Sequence, residues 1–251
     1  MLCETCGKEI ENDWRQKYNR KTPLKYCSQP CKQRANSRKA GIKFPVSKEL
    51  FQPITIEQAW FLGFFCADGC ITGERTFQFG QSGEAGKSTM DWIQREVFKQ
   101  SPLREYNYVA NHYALTYTSP ETIQRFLEFG ITPKKSLTLN FRFDLLPEPF
   151  IPAFICGYTE GDGSIGIAKR TYGKYVLWDL IGTESLIKFI AQYLQEKGFV
   201  AHISTRKGYW FLRSQHKTTL PLLEFLYSPS LYRGRKYWKW KTFQEEQSDS
   251  C

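Results

Sequence analysis

Residues 59–71 read Ala-Trp-Phe-Leu-Gly-Phe-Phe-Cys-Ala-Asp-Gly-Cys-Ile, and residues 153–165 read Ala-Phe-Ile-Cys-Gly-Tyr-Thr-Glu-Gly-Asp-Gly-Ser-Ile. The two stretches align without a gap, and Asp68 and Asp162 occupy the same place in them. Self-similarity of this kind indicates that one structural unit occurs twice in a chain. With 251 residues, the chain is long enough for two such units, each with its own hydrophobic core.

Small residues recur at helical spacing in both copies. Gly63 and Ala67 are four positions apart, and so are Gly157 and Gly161, so each copy predicts a helix with a stripe of small side chains. Because two backbones can approach closely along such stripes, the helices are predicted to pack against each other. The interface would relate the two halves of the chain by a pseudo-twofold axis.

An aspartate followed by a glycine ends each predicted helix. A carboxylate there faces the negative end of the helix dipole, which costs about 0.3–1 kcal/mol. The position of Asp68 and Asp162 is favourable if a cation lies beside them, and Mg²⁺ prefers oxygen ligands of this kind. The alternative is that Asp-Gly only ends a helix and starts a turn. Two copies in register favour paired metal ligands.

The segments after each copy also repeat in outline. Each half is predicted as helix, two strands, helix, two strands, helix, in an order that does not indicate βαβ crossovers. In the first half, the second helix is predicted over 87–98 and the second strand pair over 104–109 and 113–118. The halves are placed at 55–147 and 148–247, and the predicted fold class is α+β.

These features resemble the LAGLIDADG homing endonucleases, and the resemblance covers residues 55–245. It implies two αββαββα halves whose motif helices form the interface between them and whose strands form a saddle. It also implies that Asp68 and Asp162 bind the catalytic Mg²⁺ ions.

The resemblance further implies a basic residue near each catalytic centre. Lys135 and Lys236 are the candidates, and their neighbours Lys134 and Arg235 remain alternatives. An ordinary surface role for these side chains is the other interpretation.

The first copy departs from the family pattern at Cys66, which stands where the motif usually has its first acidic residue. The second copy keeps Glu160 there. Because this position is not the metal ligand in the family, the cysteine is interpreted as a small buried apolar residue rather than as an inactivating change.

The saddle is expected to lie in the major groove of double-stranded DNA, which accepts a β-ribbon and presents a distinct pattern for each base pair. Because the two halves differ in sequence, the expected target is a long asymmetric site that a monomer reads. Residues expected to contact bases or phosphates are, in the first half, Arg75, Gln78, Gln81, Arg104, Tyr106 and Tyr108, and in the second half, Lys169, Arg170, Lys174, Arg206, Lys207, Arg213 and Gln215.

Four cysteines near the start of the chain predict a structural zinc site. Cys3 and Cys6 form a Cys-x-x-Cys pair, and Cys27 and Cys31 form a second, looser pair after an intervening loop. This arrangement suits tetrahedral thiolate coordination of Zn²⁺. Residues 1–40 are therefore predicted to be a small zinc-finger-like module, with a disulfide or incidental thiols as the alternatives.

The positive charge is concentrated at the N-terminus. The formal net charge is +10, and residues 1–50 hold 12 Lys and Arg against 5 Asp and Glu, a net +7. Such an excess suggests a polyanionic partner, with the basic side chains of the module presented to phosphates. A solvated basic face is the alternative. Segment 41–54, with two prolines, is predicted to be a linker.

No apolar run approaches the ~20 residues needed to span a bilayer, so no membrane partner is expected. A cytoplasmic location, or an organelle matrix if an organelle encodes the chain, agrees with cysteines that are thiols or metal ligands.

The expected function is site-specific, Mg²⁺-dependent hydrolysis of phosphodiester bonds in both DNA strands. One alternative is a LAGLIDADG protein that binds nucleic acid without cutting it, such as an intron maturase or a regulator, because such proteins can keep both aspartates. Another alternative is a structural zinc module joined to an interaction domain. In that case the two in-register Asp-Gly helices would be a coincidence.

Overall fold

The computed structural model describes residues 2–3, 6–10, 25–28, 31, 46–100, 107–109, 111–170, 173–228 and 234–248. The chain divides into two compact units, Met1–Pro45 and Val46–Cys251. The cysteine pairs lie in the first unit, and both copies of the repeat lie in the second. Within the described residues, no helix combines the length and the apolar character that crossing a membrane requires.

The first copy of the repeat forms helix α1, Ile56–Asp68. At its start, the Thr55 hydroxyl accepts from the backbone N–H of Gln58, and the Gln58 side chain accepts from the N–H of Thr55. This capping box satisfies two of the free N–H groups of the first turn. Every residue from Ala59 to Cys66 is buried, so α1 is a central helix rather than a surface helix.

The second copy forms helix α4, Ile151–Asp162, which packs against α1. Pro152 lies in its first turn, where the missing N–H has no helical partner to lose. The two helices touch backbone to backbone, because a Cβ on Gly63 would lie 1.9 Å from the carbonyl oxygen of Phe154. The small-residue stripes thus form the contact that their spacing predicts.

Each half carries a four-stranded antiparallel sheet. The strands of the first are β1 Gly69–Ile71, β2 Thr76–Ser82, β3 Asn107–Val109 and β4 His112–Thr118, in the order β1-β2-β4-β3. The strands of the second are β5 Gly163–Arg170, β6 Gly173–Gly182, β7 His202–Arg206 and β8 Tyr209–Gln215, in the order β5-β6-β8-β7. Gly69 pairs with Phe79 and Gly163 with Leu180, so the strands after the two motif helices have equivalent registers.

The remaining helices complete the repeat. They are α2 Gly83–Trp92, which continues into a π-helical turn at Ile93–Val97, α3 Pro120–Glu128, α5 Glu184–Glu196, α6 Thr219–Tyr227 and the final α7 Arg235–Ser248. Short 3₁₀ turns lie at Lys135–Leu137, Phe143–Leu145, Glu148–Phe150 and His216–Thr218. The two halves therefore follow the same element order, and the predicted α+β class and paired-half architecture are confirmed.

The two halves fill their cores differently. The first half packs aromatic rings, among them Phe65 and Phe126, which stack with their centroids 4.2 Å apart. The second half relies on leucine and isoleucine from α5 and α6, together with Trp178. The Trp178 indole N–H donates to the Thr159 hydroxyl at 3.2 Å, so this ring is buried without losing its hydrogen bond.

Helix α2 differs from the prediction at both ends. It begins at Gly83 rather than at position 87, and its last turn widens into a π-helix. Two glycines in the first turn have weak helix propensity, which makes the start hard to recognise from the sequence. Gly86 packs so tightly on Gln81, five positions earlier at the end of β2, that a Cβ would lie 2.8 Å from the Gln81 Cβ. Of the predicted strand 104–109, the described residues Asn107–Val109 form β3, and positions 104–106 lie outside the described part of the chain.

Residues 46–54 lie in the predicted linker, but the structure includes them in the second unit. Leu50 and Phe51 are buried, and the ring of Phe51 stacks on that of Phe61. Two apolar side chains that cover the aromatic core outweigh the proline signals on which the linker prediction depended. The prediction of a linker is wrong for this part of the segment.

Candidate active site

The C-terminal ends of α1 and α4 lie side by side and bring Asp68 and Asp162 together. Gly161 faces Asp68 so closely that a Cβ on it would lie 3.3 Å from the Asp68 Oδ2. Both carboxyl groups reach solvent, but the surrounding protein removes part of their hydration and raises the pKa of each. The charge of Asp68 raises the pKa of Asp162 further. A cation beside the pair would relieve this repulsion.

Lys135 reaches the end of α1. Its side chain is buried, and its Nζ donates to the carbonyl oxygen of Gly69 at 2.6 Å and lies 3.5 Å from that of Ala67. Burial lowers the pKa of Lys135, and the nearby thiol of Cys66 and the carboxylate of Asp162 counteract this effect. An ammonium group at the end of a helix stabilises the exposed carbonyls there and offsets the unfavourable position of the aspartate.

Lys236 binds the end of α4 in the same way but with more contacts. Its Nζ lies 2.6 Å from the carbonyl oxygen of Thr159, 2.7 Å from that of Glu160, 3.0 Å from that of Gly161 and 2.8 Å from that of Gly163. An ammonium group has three protons, so at least one of them is shared. Burial lowers the pKa of Lys236 as well, while the negative charges of Glu160 and Asp68 raise it.

The alternative basic residues lie at the surface. Lys134 is exposed and has a left-handed backbone, with φ 60°, whereas the next residue, Lys135, is buried. Arg235 is also exposed, next to the half-buried Lys236. The structure therefore brings Lys135 and Lys236, rather than their neighbours, to the ends of the motif helices.

Gln81 is the site residue whose role the sequence did not indicate. Its Nε2 donates to the Asp68 Oδ2 and to the carbonyl oxygen of Glu160, both at 3.2 Å. The hydrogen bond from Gln81 favours the charged form of Asp68 and opposes the effect of burial on its pKa. Gln81 had been expected on the DNA-facing side of the saddle, but it has the same strand parity as the buried Phe77 and Phe79. The alternation of buried and exposed residues along β2 was the sequence signal that could have placed Gln81 on the inner face of the sheet.

Two cavities of about 210 Å³ flank the aspartates, and each is lined by both halves. The first, which we call cavity A, includes Gln81 and Ser82 from one half and Glu160, Arg235 and Lys236 from the other. Since Gln81 also contacts Asp68, cavity A belongs to the centre of Asp68.

The second cavity, cavity B, is lined by Cys66 and Lys135 from the first half and by Tyr158, Asp162 and Gly182 from the second. Each centre therefore combines groups from both halves. Each volume has room for several water molecules, at roughly 30 Å³ for each.

The two centres are not identical. Tyr158 donates from its hydroxyl to the carbonyl oxygen of Ile181 at 2.8 Å and lies next to Asp162, whereas its counterpart in the first copy is Phe64. Gly182 occupies the place in β6 that corresponds to Gln81 in β2, as the registers of the two sheets show. The exchange of Phe64 for Tyr158 is visible in the aligned sequences of the two copies. The exchange of Gln81 for Gly182 can be recognised only from the strand pairing.

The counterparts Cys66 and Glu160 are both buried, but their surroundings differ. Burial raises the pKa of the Cys66 thiol above its usual range, so the thiol is neutral. Burial also raises the pKa of Glu160, to about 7, although the Lys236 ammonium and the backbone N–H groups of Lys236 and Tyr237 favour its charged form. The interpretation of Cys66 as a small buried residue agrees with this environment.

Among the residues expected to face DNA, Gln78, Arg206 and Arg213 are exposed and lie on the sheet faces opposite the buried strand residues. Arg213 is also paired with Asp179, through Nη2 and Oδ2 at 3.2 Å. Gln215 shares the strand parity of Arg213 and is half-buried.

Other expected DNA contacts lie elsewhere or cannot be placed. Lys169 and Lys174 lie at the far ends of β5 and β6, where they are exposed although they share a sheet face with the buried residues of these strands. Arg75 and Lys207 are exposed in turns. The remaining residues fall wholly or with their side chains outside the described part of the chain: Arg104, Tyr106, Tyr108 and Arg170.

The first unit brings the four predicted cysteines together. Their sulfur atoms all lie within 4.8 Å of one another, and the Sγ distances are 3.6 Å from Cys6 to Cys27, 3.6 Å from Cys27 to Cys31 and 3.7 Å from Cys31 to Cys6. A tetrahedral Zn²⁺ with Zn–S bonds of about 2.3 Å places its sulfurs about 3.8 Å apart, so the cluster fits this ion.

The backbone at the first cysteine pair supports the same interpretation. The N–H of Gly7 donates to the carbonyl oxygen of Cys3, and Gly7 has φ 71°, a conformation that glycine adopts without strain. Hydrogen bonds with the neighbouring thiols of Cys6 and Cys31 raise the pKa of Cys27 to about 12, which agrees with the close approach of these sulfurs.

Comparisons with known proteins agree with the fold. No protein-family model matches the chain, and no curated protein matches its sequence. Among solved structures, the chain is similar to the LAGLIDADG meganuclease I-AabMI bound to uncleaved DNA, with a TM-score of 0.54 and 14% identity over 78% of this chain and 91% of that one. It is also similar to the LAGLIDADG homing endonuclease I-GzeII in complex with its DNA target, with a TM-score of 0.52 and 14% identity over 76% and 91%.

A third structure is I-SmaMI bound to an uncleaved DNA target in the presence of calcium ions, with a TM-score of 0.52 and 10% identity over 76% and 90%. The fold of the second unit is therefore that of the LAGLIDADG meganucleases, with two antiparallel sheets that flank a pair of central helices.

Proposed function

We propose that the chain is a DNA endonuclease that hydrolyses one phosphodiester bond in each strand of a long asymmetric site, with Mg²⁺ as its catalytic ion. The observation that carries this proposal is the meeting of Asp68 and Asp162 at adjoining helix ends, each centre with a lysine whose ammonium binds the carbonyls there. An interaction domain has no need of two carboxylates so close together that the charge of Asp68 raises the pKa of Asp162. The meganuclease fold of the second unit supports the proposal.

The residues present fit the ion. Asp68 and Asp162 are oxygen donors that reach solvent. Asp162 lines cavity B, and Asp68 contacts Gln81, which lines cavity A. When bound, Mg²⁺ would polarise the scissile phosphate and lower the pKa of a coordinated water. The protein's own groups do the positioning: Gln81 orients the carboxylate of Asp68, and Lys135 and Lys236 hold positive charge at the helix ends, where negative charge develops during hydrolysis.

The outer faces of the two sheets are the proposed DNA-binding surface. Exposed polar residues on these faces, such as Gln78 and Arg206, are suited to contact base edges and phosphates in the major groove. I-AabMI and I-GzeII were both solved with DNA, which supports this assignment. Because the faces of the two halves carry different residues, we expect a monomer to read an asymmetric sequence.

We also propose that the cysteine cluster binds one Zn²⁺, which stabilises the fold of the first unit. The near-equal separations among the sulfurs of Cys6, Cys27 and Cys31, with Cys3 within 4.8 Å, support this. A small segment gains most of its folding free energy from such an ion. The basic residues of the module would then contribute phosphate contacts that are independent of DNA sequence.

A selection experiment tests the nuclease proposal. The full chain is incubated with a library of randomised duplex sites in Mg²⁺, and cleaved sites are recovered. Asp68→Asn and Asp162→Asn are expected to abolish double-strand cleavage. Asp144→Asn is the matched control, because Asp144 is an exposed aspartate of the same unit that pairs only with Arg142 in the described structure. Double-strand cleavage that survives both substitutions would overturn the mechanism, and sequence-specific binding without cleavage would favour a maturase or regulator.

A further inference from the structure

Glu160 connects helix α4, helix α7 and strand β2 of the second unit. It lies at the end of α4, it is 5% exposed, and its carboxyl group packs against the start of α7. A Cβ on Gly234 would lie 2.8 Å from each carboxyl oxygen of Glu160, so only glycine leaves room for this contact. The backbone N–H groups of Lys236 and Tyr237, in the first turn of α7, lower the pKa of this carboxyl group and so favour its charged form.

These contacts make Glu160 a cap for α7. The first N–H groups of a helix have no partner within the helix, and a carboxylate is the group that best satisfies them. Here the carboxylate comes from the end of another helix instead of from the preceding residue. The helix N-terminus and the Lys236 ammonium both favour the charged form of the buried carboxyl group, although burial has the larger effect on its pKa and its Oε1 has no hydrogen-bond partner among the described residues.

Glu160 also holds the Lys236 side chain. Its carbonyl oxygen accepts from Lys236 Nζ at 2.7 Å and from Gln81 Nε2 at 3.2 Å. Glu160 thus contacts Lys236 twice. Its carboxylate faces the backbone N–H of Lys236, and its carbonyl oxygen accepts from the ammonium group. Gln81, which contacts Asp68, shares that carbonyl. Glu160 therefore touches both groups that accompany Asp68 in cavity A.

The other centre has no such arrangement. Cys66 stands at the equivalent position and offers only a neutral thiol. Lys135 starts a single 3₁₀ turn, not a long helix, and its Nζ approaches two carbonyls where that of Lys236 approaches four. Lys135 is 7% exposed, so dense packing holds it, whereas Lys236 is only half-buried.

We propose that Glu160 is a positioning residue that holds α7 and Lys236 at the Asp68 centre, and that the Asp162 centre works without an equivalent. The proposal rests on the proposed nuclease function and adds an asymmetry to it. Loss of the carboxylate should impair cleavage of one DNA strand and leave cleavage of the other strand nearly intact.

The first test measures the cap itself and requires no DNA. Hydrogen–deuterium exchange of the full chain is compared between the wild type and Glu160→Ala. Amides of residues 235–240 are expected to exchange roughly tenfold faster in the variant, as for the loss of a helix cap, while those of α4 keep their protection. Equal acceleration in both segments, or no change in either, would overturn the capping role. Glu160→Gln keeps an acceptor oxygen, so the amides of residues 235–240 should exchange in this variant at rates between those of the wild type and of Glu160→Ala.

The second test counts cuts on each strand. A supercoiled plasmid that carries the selected site is incubated with each variant in Mg²⁺, and nicked and linear products are separated. Glu160→Ala should accumulate nicked circles, with cleavage of one strand slowed at least roughly tenfold, and Glu160→Gln should recover part of the linear product. The Cys156→Ala control removes a buried side chain one turn earlier in α4, whose thiol bonds the carbonyl oxygen of Leu226, and should slow both strands alike.

The outcomes separate the two proposals. Wild-type protein that cuts neither strand would contradict the proposed function, while the exchange result still decides the capping role. If the wild type cuts both strands and Glu160→Ala slows them equally, Glu160 is only structural and the inference is wrong.

Discussion

Gly63 and Gly157 lie back to back where the two motif helices cross. A Cβ on Gly63 would stand 1.9 Å from the carbonyl oxygen of Phe154, and a Cβ on Gly157 would stand 1.8 Å from that of Trp60. The clash is reciprocal and involves backbone on both sides, so no rotamer change relieves it. This contact sets how closely the helix ends approach, and therefore the distance between Asp68 and Asp162.

We expect Gly157→Ala to destabilise the second unit. The added methyl group must push the backbones of α1 and α4 apart, and overpacking of this kind costs about 1–3 kcal/mol or more. Urea unfolding monitored by tryptophan fluorescence measures the change. The control is Gly166→Ala in β5, where the nearest atom to a new Cβ is 3.9 Å away, so its free energy of unfolding should change little. Equal effects of the two substitutions would contradict the close packing.

Replacement of Lys135 should affect cleavage far more than replacement of its neighbour. Lys135→Met removes the ammonium group from the end of α1, whereas Lys134→Met changes an exposed side chain. We expect single-turnover cleavage to fall about 100-fold for the first, as for the loss of one oriented charge-stabilising donor, and less than about threefold for the second. Similar rates for both variants would show that the buried ammonium is dispensable.

Substitutions of Gln81 and Gln78 should have different effects, the first on the cleavage rate and the second on the affinity for DNA. Gln81→Ala removes the hydrogen bond to Asp68, so it should reduce the cleavage rate at saturating protein and leave the affinity for DNA nearly unchanged. Gln78→Ala acts on the exposed face of the same strand and should weaken binding or relax specificity, by about 1–3 kcal/mol if it contacts a base. Affinity comes from equilibrium binding in Ca²⁺ and the rate from single-turnover cleavage in Mg²⁺. The reverse pattern would contradict the parity argument.

The cysteine cluster should hold one metal ion per chain. Metal analysis of the purified protein is expected to give one Zn²⁺ per chain, and Cys31→Ser should lower both the content and the affinity, because one thiolate is lost. The Cys70→Ser variant is the control, since Cys70 is an exposed thiol outside the cluster. Full zinc content in Cys31→Ser would rule out coordination by all four cysteines.

Deletion of residues 1–40 should weaken DNA binding and make it less sensitive to salt. Each phosphate contact that is lost should reduce the slope of log K against log salt by about 0.9. Affinities for one duplex at several salt concentrations give the slope. A deletion variant with an unchanged slope would show that the basic module does not contact phosphates.

Much of the architecture was predictable because each copy of the repeat is a short, continuous stretch of sequence whose spacing specifies its own structure. The spacing of Gly63, Ala67 and Asp68 predicted a helix, its close-packed face and the group at its end, and the structure shows all three. The interpretation of Asp68 and Asp162 as a pair depended on the second copy in register, because a single Asp-Gly could not have supported it.

The parts that were missed depend on contacts between distant segments. The side on which Gln81 lies follows from strand alternation, but its contact with the carbonyl of Glu160 joins two halves of the chain. The cap that Glu160 provides for α7 likewise depends on residues more than seventy positions later, and neither partner has a local signature. Phe51 was assigned to a linker because proline signals are local, whereas the aromatic core that it covers is not.

The shared walls of cavities A and B have a consequence for the half-molecule. Each cavity takes residues from both repeats, so neither repeat by itself encloses a complete reaction chamber. A chain that ended after the first repeat, through truncated synthesis or proteolysis, would hold one aspartate and one lysine but no finished centre. For the nuclease proposed above, the dependence of each half on the other would confine cutting to intact molecules.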